Sequence, residues 1–342
     1  MPLTNLECSS NRTTYPEMEK DVNAVKSITE RFPLKLEKTI VGSSYVRFRL
    51  ARGFDFKPRM KKELEYYIET GLASKIRISE EGSNLLIDKQ LSSEPILFGN
   101  LITSNMKDLK GIKLFLGKDK NNMPVIADLD NARSVLIAGT TGAGKSTLIN
   151  TMLAGIMIRA DIEPVDITII DLKGIDYLAY KSNKRIHFVN KERDATNLLF
   201  SISNEINKRI DVLGKTNSFR PLVVFVDDIS YLEKNNLVQE SLNNIVTRGY
   251  CVCVYPILSV QGIVKEWISE DLLMKIYTKI CFYMAIERDY KKILGQYGSE
   301  RLGERYSMLY LGRGKTEPIW IQGAEVADND KIRINSFFEK IV

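Results

Sequence analysis

The octapeptide 139-GTTGAGKS-146 constrains the fold of this chain more than any other stretch. It fits G-x-x-x-x-G-K-[ST], a loop that works only between a strand and a helix. The sequence predicts both: 134-SVLIAG-139 is a short apolar strand and 146-STLINTMLAGIMIRA-160 a helix. Gly139, Gly142 and Gly144 let the backbone curl so that successive N–H groups face one anion. The helix dipole adds to the attraction at the same point. Gly139, Thr140, Thr141, Gly142, Ala143, Gly144, Lys145, Ser146 and Thr147 are therefore the candidate nucleotide-binding set. Within it Lys145 should reach the β- and γ-phosphates, and Ser146 should bind Mg²⁺. Thr147 should cap the helix or touch the α-phosphate.

The second informative stretch is 222-LVVFVDDISYL-232, where five apolar residues run into two carboxylates. A strand ending in Asp downstream of such a loop is where these proteins hold the second Mg²⁺ partner. Asp227 takes that role, acting through metal-bound water, and Asp228 is placed to polarise an attacking water. A GTPase would need N-K-x-D; 190-NKERD-194 has Arg193 at the last position and fails.

The rest of the chain supplies the frame. Strand and helix patterns alternate from residue 131, with strands at 166–171, 222–228, 252–260 and 278–286 and helices at 193–214 and 236–249. A closing hairpin is expected from 307–311 and 317–323. Such alternation implies an α/β fold with a mainly parallel sheet and helices on both faces. Before it, 39-TIVGSSYVRFRLA-51 alternates apolar Val46, Phe48 and Leu50 with Arg47 and Arg49, a strand pattern. With a helix at 59–73, strands at 75–79 and 84–88 and a hairpin at 112–129, it forms a small α+β module. The expected divisions are 1–34 (arm), 35–130 (module), 131–326 (nucleotide-binding domain) and 327–342 (tail).

Composition excludes more than it proposes. His187 is the only histidine among 342 residues, so a His-based metal site or Ser-His triad is close to excluded. The four cysteines lack CxxC spacing. Cys251 and Cys253, in 250-YCVCVYPILSV-260, are expected on one side of a buried strand. The net charge of +6 permits an anionic partner without demanding one. No apolar run has the roughly 18 residues of a membrane helix, so a cytoplasmic location is expected, with any membrane association through a partner.

Beyond these motifs the chain resembles the FtsK/SpoIIIE family of DNA-pumping ATPases over about residues 35–325. The approach to the loop, 115-FLGKDKNNMPVIADLDNARSVLIAG-139, is similar to the family's "LGKD…G.PVVADL…HLLVAG". The stretch 170-IDLKGIDYLAYKSNKRIHFV-189 is similar to its "IDPK…L..Y…PHL", and 256-PILSVQG-262 to its "LATQRP". The long stretch 293-ILGQYGSERLGERYSMLYLGRGKTEPIWIQGAEV-326 resembles "ILDQGGAEKLLGRGDMLYL…SEPIRVQGAFV". The resemblance implies a RecA-like P-loop NTPase with ATP and Mg²⁺, preceded by the family's β-domain. It carries over Gln261 as a polar γ-phosphate sensor and Lys173 as a support of the nucleotide site or of the central channel. Departures are Asp228 in place of the family's usual Glu, Gly262-Ile263 in place of Arg-Pro, and Lys291 in place of a frequent Arg. The "GRAxGI" segment is replaced by 248-RGYCVCV-254. Arg248 is the first candidate for a trans-acting arginine finger, with Arg288 and Arg313 behind it. Because about 17 residues follow the last match, no orientation-reading winged helix is expected.

The implied function is a ring-shaped, hexameric ATPase that moves double-stranded DNA. The expected setting is conjugative transfer or segregation of a mobile element, with a relaxase or membrane channel as partner. Lys181, Lys184 and Arg185 beside Lys173, and Lys265 in 261-QGIVKEW-267, are the candidate DNA contacts. Two other readings stay open: an ATP-binding assembly or regulatory protein, and a protein-secretion ATPase. The shorter Asp228 predicts slow hydrolysis, with Asp228→Glu at least as active as the parent.

Overall fold

In the computed structural model, the described residues are 18–41, 45–74, 76–90, 96–102, 109–215, 218–262, 269–284, 286–295, 302 and 306–341. The chain divides into two compact units.

The first unit holds α1 (Met18–Thr29), β1 (Leu34–Val41), β2 (Tyr45–Arg52), α2 (Met60–Leu72), β3 (Ile76–Glu81) and β4 (Asn84–Gln90). Its sheet runs β1-β2-β4-β3 with every neighbour antiparallel. The alternation read in β2 sets its packing: Val46, Phe48 and Leu50 bury against Leu64 and Ile68 of α2 and Val25 of α1. On the other face Arg47 lies opposite Asp88 in the register and forks onto it, with both N–O distances 2.6 Å. That geometry is the bidentate pairing that favours Arg. One ion pair sits on the helical face, where Lys89 meets Asp21 of α1 with both side chains under one-tenth exposed. Removing one partner of a buried pair strands the other charge. Asp21→Ala should therefore destabilise this unit by about 3 kcal/mol, read as a lower urea midpoint at unchanged slope.

The second unit begins with the short β5 (Ile96–Leu97) and the hairpin β6 (Lys113–Asp119) and β7 (Pro124–Asp128), followed by α3 (Leu129–Ala132). Then come β8 (Val135–Ala138), α4 (Lys145–Met157), β9 (Asp166–Asp171), β10 (Ile186–Val189), α5 (Glu192–Asp211), β11 (Leu222–Asp227), α6 (Asn236–Arg248) and β12 (Val254–Val260). The chain closes with α7 (Glu270–Lys275), β13 (Thr278–Phe282), α8 (Glu287–Leu294), β14 (Ser307–Leu311), β15 (Ile319–Glu325) and α9 (Asp328–Lys340). One sheet runs β10-β9-β11-β12-β8-β13-β14-β15-β6-β7. From β10 to β13 every pair is parallel; from β13 to β7 every pair is antiparallel. The sheet is thus parallel where the nucleotide loop sits. The hairpin at 112–129 joins this sheet through β6 on β15. Residues Pro95–Asp119 and Pro124 onward therefore belong to the second unit, and the module ends earlier than position 130.

Side-chain alternation sends each strand's residues to two cores. Ile167 and Ile169, Val223 and Phe225, and Ile257 pack toward α4. Ile170, Val224 and Val226, and Leu258 pack toward α5 and α6. Two expectations fail here. The 327–342 tail is largely α9, whose Ile334 and Phe338 are buried in the α4-side core. The cysteine pair is not in a strand: residues 249–252 form a 3-10 turn, Cys251 is exposed and Cys253 has φ 60°. Close packing explains the turn, since a Cβ on Gly249 would lie 2.5 Å from the Val254 carbonyl oxygen. No helix among the described residues is long and apolar enough to cross a membrane.

Candidate nucleotide site

The loop leaves β8 and is braced by the strand ends beside it. Gly139 N–H donates to Val260 O at the end of β12 (3.2 Å), and Thr140 N–H to Tyr283 O just past β13 (3.0 Å). Tyr306, before β14, donates its N–H to Ala143 O (3.0 Å). Gly142 (φ 79°) and Gly144 (φ 114°) occupy backbone regions that a side chain disfavours. A Cβ on Gly144 would also press on Phe282 and Tyr306. α4 begins at Lys145, so its first-turn N–H groups lack intrahelical partners and face the loop's concave side.

Lys145 is buried, and its Nζ donates to Gly139 O (2.8 Å) and Thr140 O (2.9 Å). Burial, then the nearby Lys173 charge, hold this ammonium below the usual lysine pKa. Ser146 Oγ donates to Asp176 Oδ2 (3.0 Å), a residue the motif did not single out. Thr147 lies on the first turn of α4 and is partly exposed.

Across from the loop, three strand ends stand in a row. Asp227 pairs in register with Asp171 on one side. On the other, Ser259 Oγ donates to Asp227 Oδ1 (2.6 Å). By strand alternation all three face the α4 side, as Ile169, Phe225 and Ile257 do two residues earlier. Asp227 is 3% exposed and its Oδ2 has no hydrogen-bond partner. Burial lifts its pKa above the usual carboxylate value, and this outweighs the Ser259 bond and the Lys173 charge, which act the other way. An orphaned buried carboxylate oxygen opposite Ser146 fits a divalent cation, which supplies the missing partner. Ser146 and Asp227 would hold the ion, and it would neutralise charge on the phosphates.

Asp228 turns the other way. It has φ 57° and ψ 84°, a conformation uncommon outside glycine, and its side chain is fully buried. Oδ1 accepts from Ser230 Oγ (2.5 Å) and Ser230 N–H (3.3 Å). Oδ2 accepts from Gln261 Nε2 (2.6 Å) and pairs with Lys173 Nζ (3.1 Å). A carboxylate has about four lone-pair positions, so these contacts fill it. In this arrangement Asp228, expected to polarise a water, instead holds Gln261 and Lys173. Gln261 in turn accepts from Thr141 Oγ1 (3.0 Å), so Thr141, Gln261 and Asp228 form one chain from the loop to β11.

The candidate DNA contacts divide. Lys173 pairs with Asp228 and lies 5.2 Å from the Tyr231 ring centre. Burial alone would lower its pKa; the Asp227 and Asp228 charges overcome that and raise it. Its ammonium is thus engaged beside Asp227 and Asp228 at the end of β11. Arg185 is tied to α9, stacking on Phe338 (4.9 Å) and donating to the Ile341 carbonyl, so it is not a free surface cation. Lys181 and Lys184 are exposed. Lys265 lies outside the described residues. Arg248 is exposed and donates to Asn207 Oδ1 (3.0 Å). It closes α6 at the starting edge of β12, while the loop sits at the other end of that strand, about 20 Å away at strand rise. From there it does not reach the loop of its own chain.

The FtsK/SpoIIIE family model matches residues 104–225, which hold the loop, α4, β9 and most of β11. Over these residues the chain is similar to the FtsK/SpoIIIE family. The DNA translocase FtsK of Haemophilus influenzae is 24% identical, over 95% of this chain and 72% of that protein. The DNA translocase SftA of Bacillus subtilis is 28% identical, over 65% of this chain and 26% of that protein. FtsK of Lactiplantibacillus plantarum is 23% identical over 98% of this chain, which spans 47% of it. Among solved structures, the pCW3 conjugation coupling protein TcpA, in a monomer form with ATPγS, has the same fold. Its TM-score is 0.64 at 14% identity, covering 94% of this chain and 99% of TcpA. The cytoplasmic domain of the Thermomonospora curvata type VII secretion ATPase EccC follows, with TM-score 0.60 at 15% identity over 73% of this chain and 35% of EccC.

Proposed function

We propose that the protein hydrolyses ATP with Mg²⁺ to drive double-stranded DNA through a ring of its own copies, in transfer or segregation of a mobile element. The observation that carries this reading is the orphaned Asp227 oxygen, on a carboxylate whose charge acts on Lys145, with Gln261 bridging loop and β11. Lys145 and the loop amides bind the phosphates, Ser146 and Asp227 hold the ion, and Gln261 senses the γ-phosphate. Release of that phosphate would free Thr141 and Gln261 to rearrange. Arg248 from a neighbouring copy would complete the charge stabilisation. Ring closure follows when one surface of a subunit meets a different surface of the next. Exposed Lys181 and Lys184 would track DNA phosphates without reading sequence. A relaxase or a membrane channel is the partner of such a motor.

The fully engaged Asp228 favours a second reading, an ATP-binding assembly protein with little turnover. Phosphate release with and without linear duplex DNA separates the two, together with displacement of a triplex-forming strand. The motor reading expects DNA stimulation that fades steeply with salt. Turnover indifferent to DNA at low salt sinks it and leaves the assembly reading.

A further inference from the structure

Three buried polar atoms without partners converge beside Ser146: Asp227 Oδ2, Asp171 Oδ2 and the Tyr177 hydroxyl. Asp171 ends β9 and is fully buried; its Oδ1 accepts from the Gly174 N–H (3.0 Å), leaving only Oδ2 open. Its register partner across the β9–β11 ladder is Asp227, so the two carboxylates stand on one face, one strand spacing apart, about 4.8 Å. Tyr177 is fully buried, with Ser146, Asp171 and Asp227 around its hydroxyl, and the Ser146 hydroxyl donates to Asp176. Buried polar atoms are nearly always paired, so three orphans in one place call for a missing occupant.

Charge identifies the occupant's class. Asp228 pairs with Lys173, which leaves the two buried carboxylates of Asp171 and Asp227 with only the Lys145 ammonium near them. Two buried carboxylates side by side are costly without a cation between them. Among the described residues no group of three or more His, Cys, Asp or Glu is arranged to ligate an ion directly. A hydrated ion that keeps most of its waters suits that arrangement, and Mg²⁺ is such an ion.

We propose that Asp171 and Tyr177 are further members of the divalent-cation site: Asp171 shares the hydrated ion with Asp227, and the Tyr177 hydroxyl donates to one of its waters. Both are positioning residues, acting through the ion's shell. The proposal rests on the ATP–Mg²⁺ reading of the loop and extends it to β9.

The test is Mn²⁺ binding to the full chain, read by electron paramagnetic resonance with and without ATPγS, alongside metal-free binding of a fluorescent ATP analogue. Asp171→Asn should raise the Mn²⁺ Kd about 10- to 100-fold, the range seen when outer partners of a metal are removed. Tyr177→Phe keeps the buried ring and should raise it several-fold. Neither should alter metal-free nucleotide binding. Wild-type Mn²⁺ affinity in Tyr177→Phe and in a folded Asp171→Asn overturns the proposal and leaves the ATP reading intact. If Asp171→Asn does not fold, Tyr177→Phe decides alone. A parent protein that binds neither Mn²⁺ nor nucleotide overturns both readings.

Discussion

Lys145→Ala should reduce ATP turnover by at least about 100-fold, the scale set by losing one preorganised charge at a reacting group. The Nζ is held now by the Gly139 and Thr140 carbonyls, on the loop that would wrap the phosphates. A phosphate bound in the loop would replace these two carbonyl bonds. The measurement is phosphate release at saturating DNA. Undiminished turnover would place the active site elsewhere. The pH dependence gives a second readout. Because burial and Lys173 hold the Lys145 ammonium below its usual range, activity should fall on the alkaline side before an ordinary lysine near 10.4 would titrate. Between the folded value and the unfolded one, the unfolded chain binds more protons, so this group makes stability rise with pH there. Activity and the Lys145 contribution to stability thus move in opposite directions in one window, and Lys145→Ala removes both slopes.

The parts of this site readable in sequence are those where a motif fixes both residue type and local geometry. The loop glycines and Lys145 belong to one short turn, and Asp227 marks the end of a strongly apolar strand. Asp171 carried the same signal, since 166-DITIID-171 is also an apolar strand closed by Asp. Its importance emerges only when β9 and β11 are placed side by side. Tyr177 sits in a polar loop and reads as a core aromatic; its orphaned hydroxyl is visible only in three dimensions. Asp176 meets Ser146 across the β9–α4 interval, a contact no spacing rule encodes. Asp328 and Asp330, with Ile334 and Phe338 at i,i+4 spacing after Asp330, form a helix signature within 327–342. Arg185 resembles a loop cation in sequence because its partner, Phe338, lies on that same helix. The Cys-Val-Cys-Val alternation imitated a strand, and the close approach of Gly249 to Val254 set a turn instead.

Asp228→Glu should lower turnover, in contrast to the expectation drawn from the family's usual Glu. A carboxylate that polarised water would be drawn back from it by the missing methylene, hence the slow hydrolysis predicted above. The structure shows a carboxylate with four contacts, on a backbone at φ 57°. That conformation is reached more readily by Asp and Asn than by longer residues, because the short side chain bonds to the local backbone, as Asp228 does to Ser230 N–H. Glu would lose that bond and push one methylene into a fully buried slot, at about 1–3 kcal/mol. Its carboxylate would move Gln261 and Lys173 by an ångström or so, and displacement of that size can reduce a rate on the order of 100-fold. Asp228→Asn is the discriminating partner. The amide keeps an oxygen for Ser230 and fits the backbone, but it presents N–H groups to Gln261 or Lys173 and loses the ion pair. Turnover should fall in both variants, with ATP-analogue binding retained, if Asp228 works by positioning Gln261. If Asp228→Glu is faster than the parent, the carboxylate is reaching a water after all and its present contacts are a resting arrangement. Should Asp228→Asn turn over like the parent, the Lys173 pair and the Gln261 link contribute nothing to the chemistry.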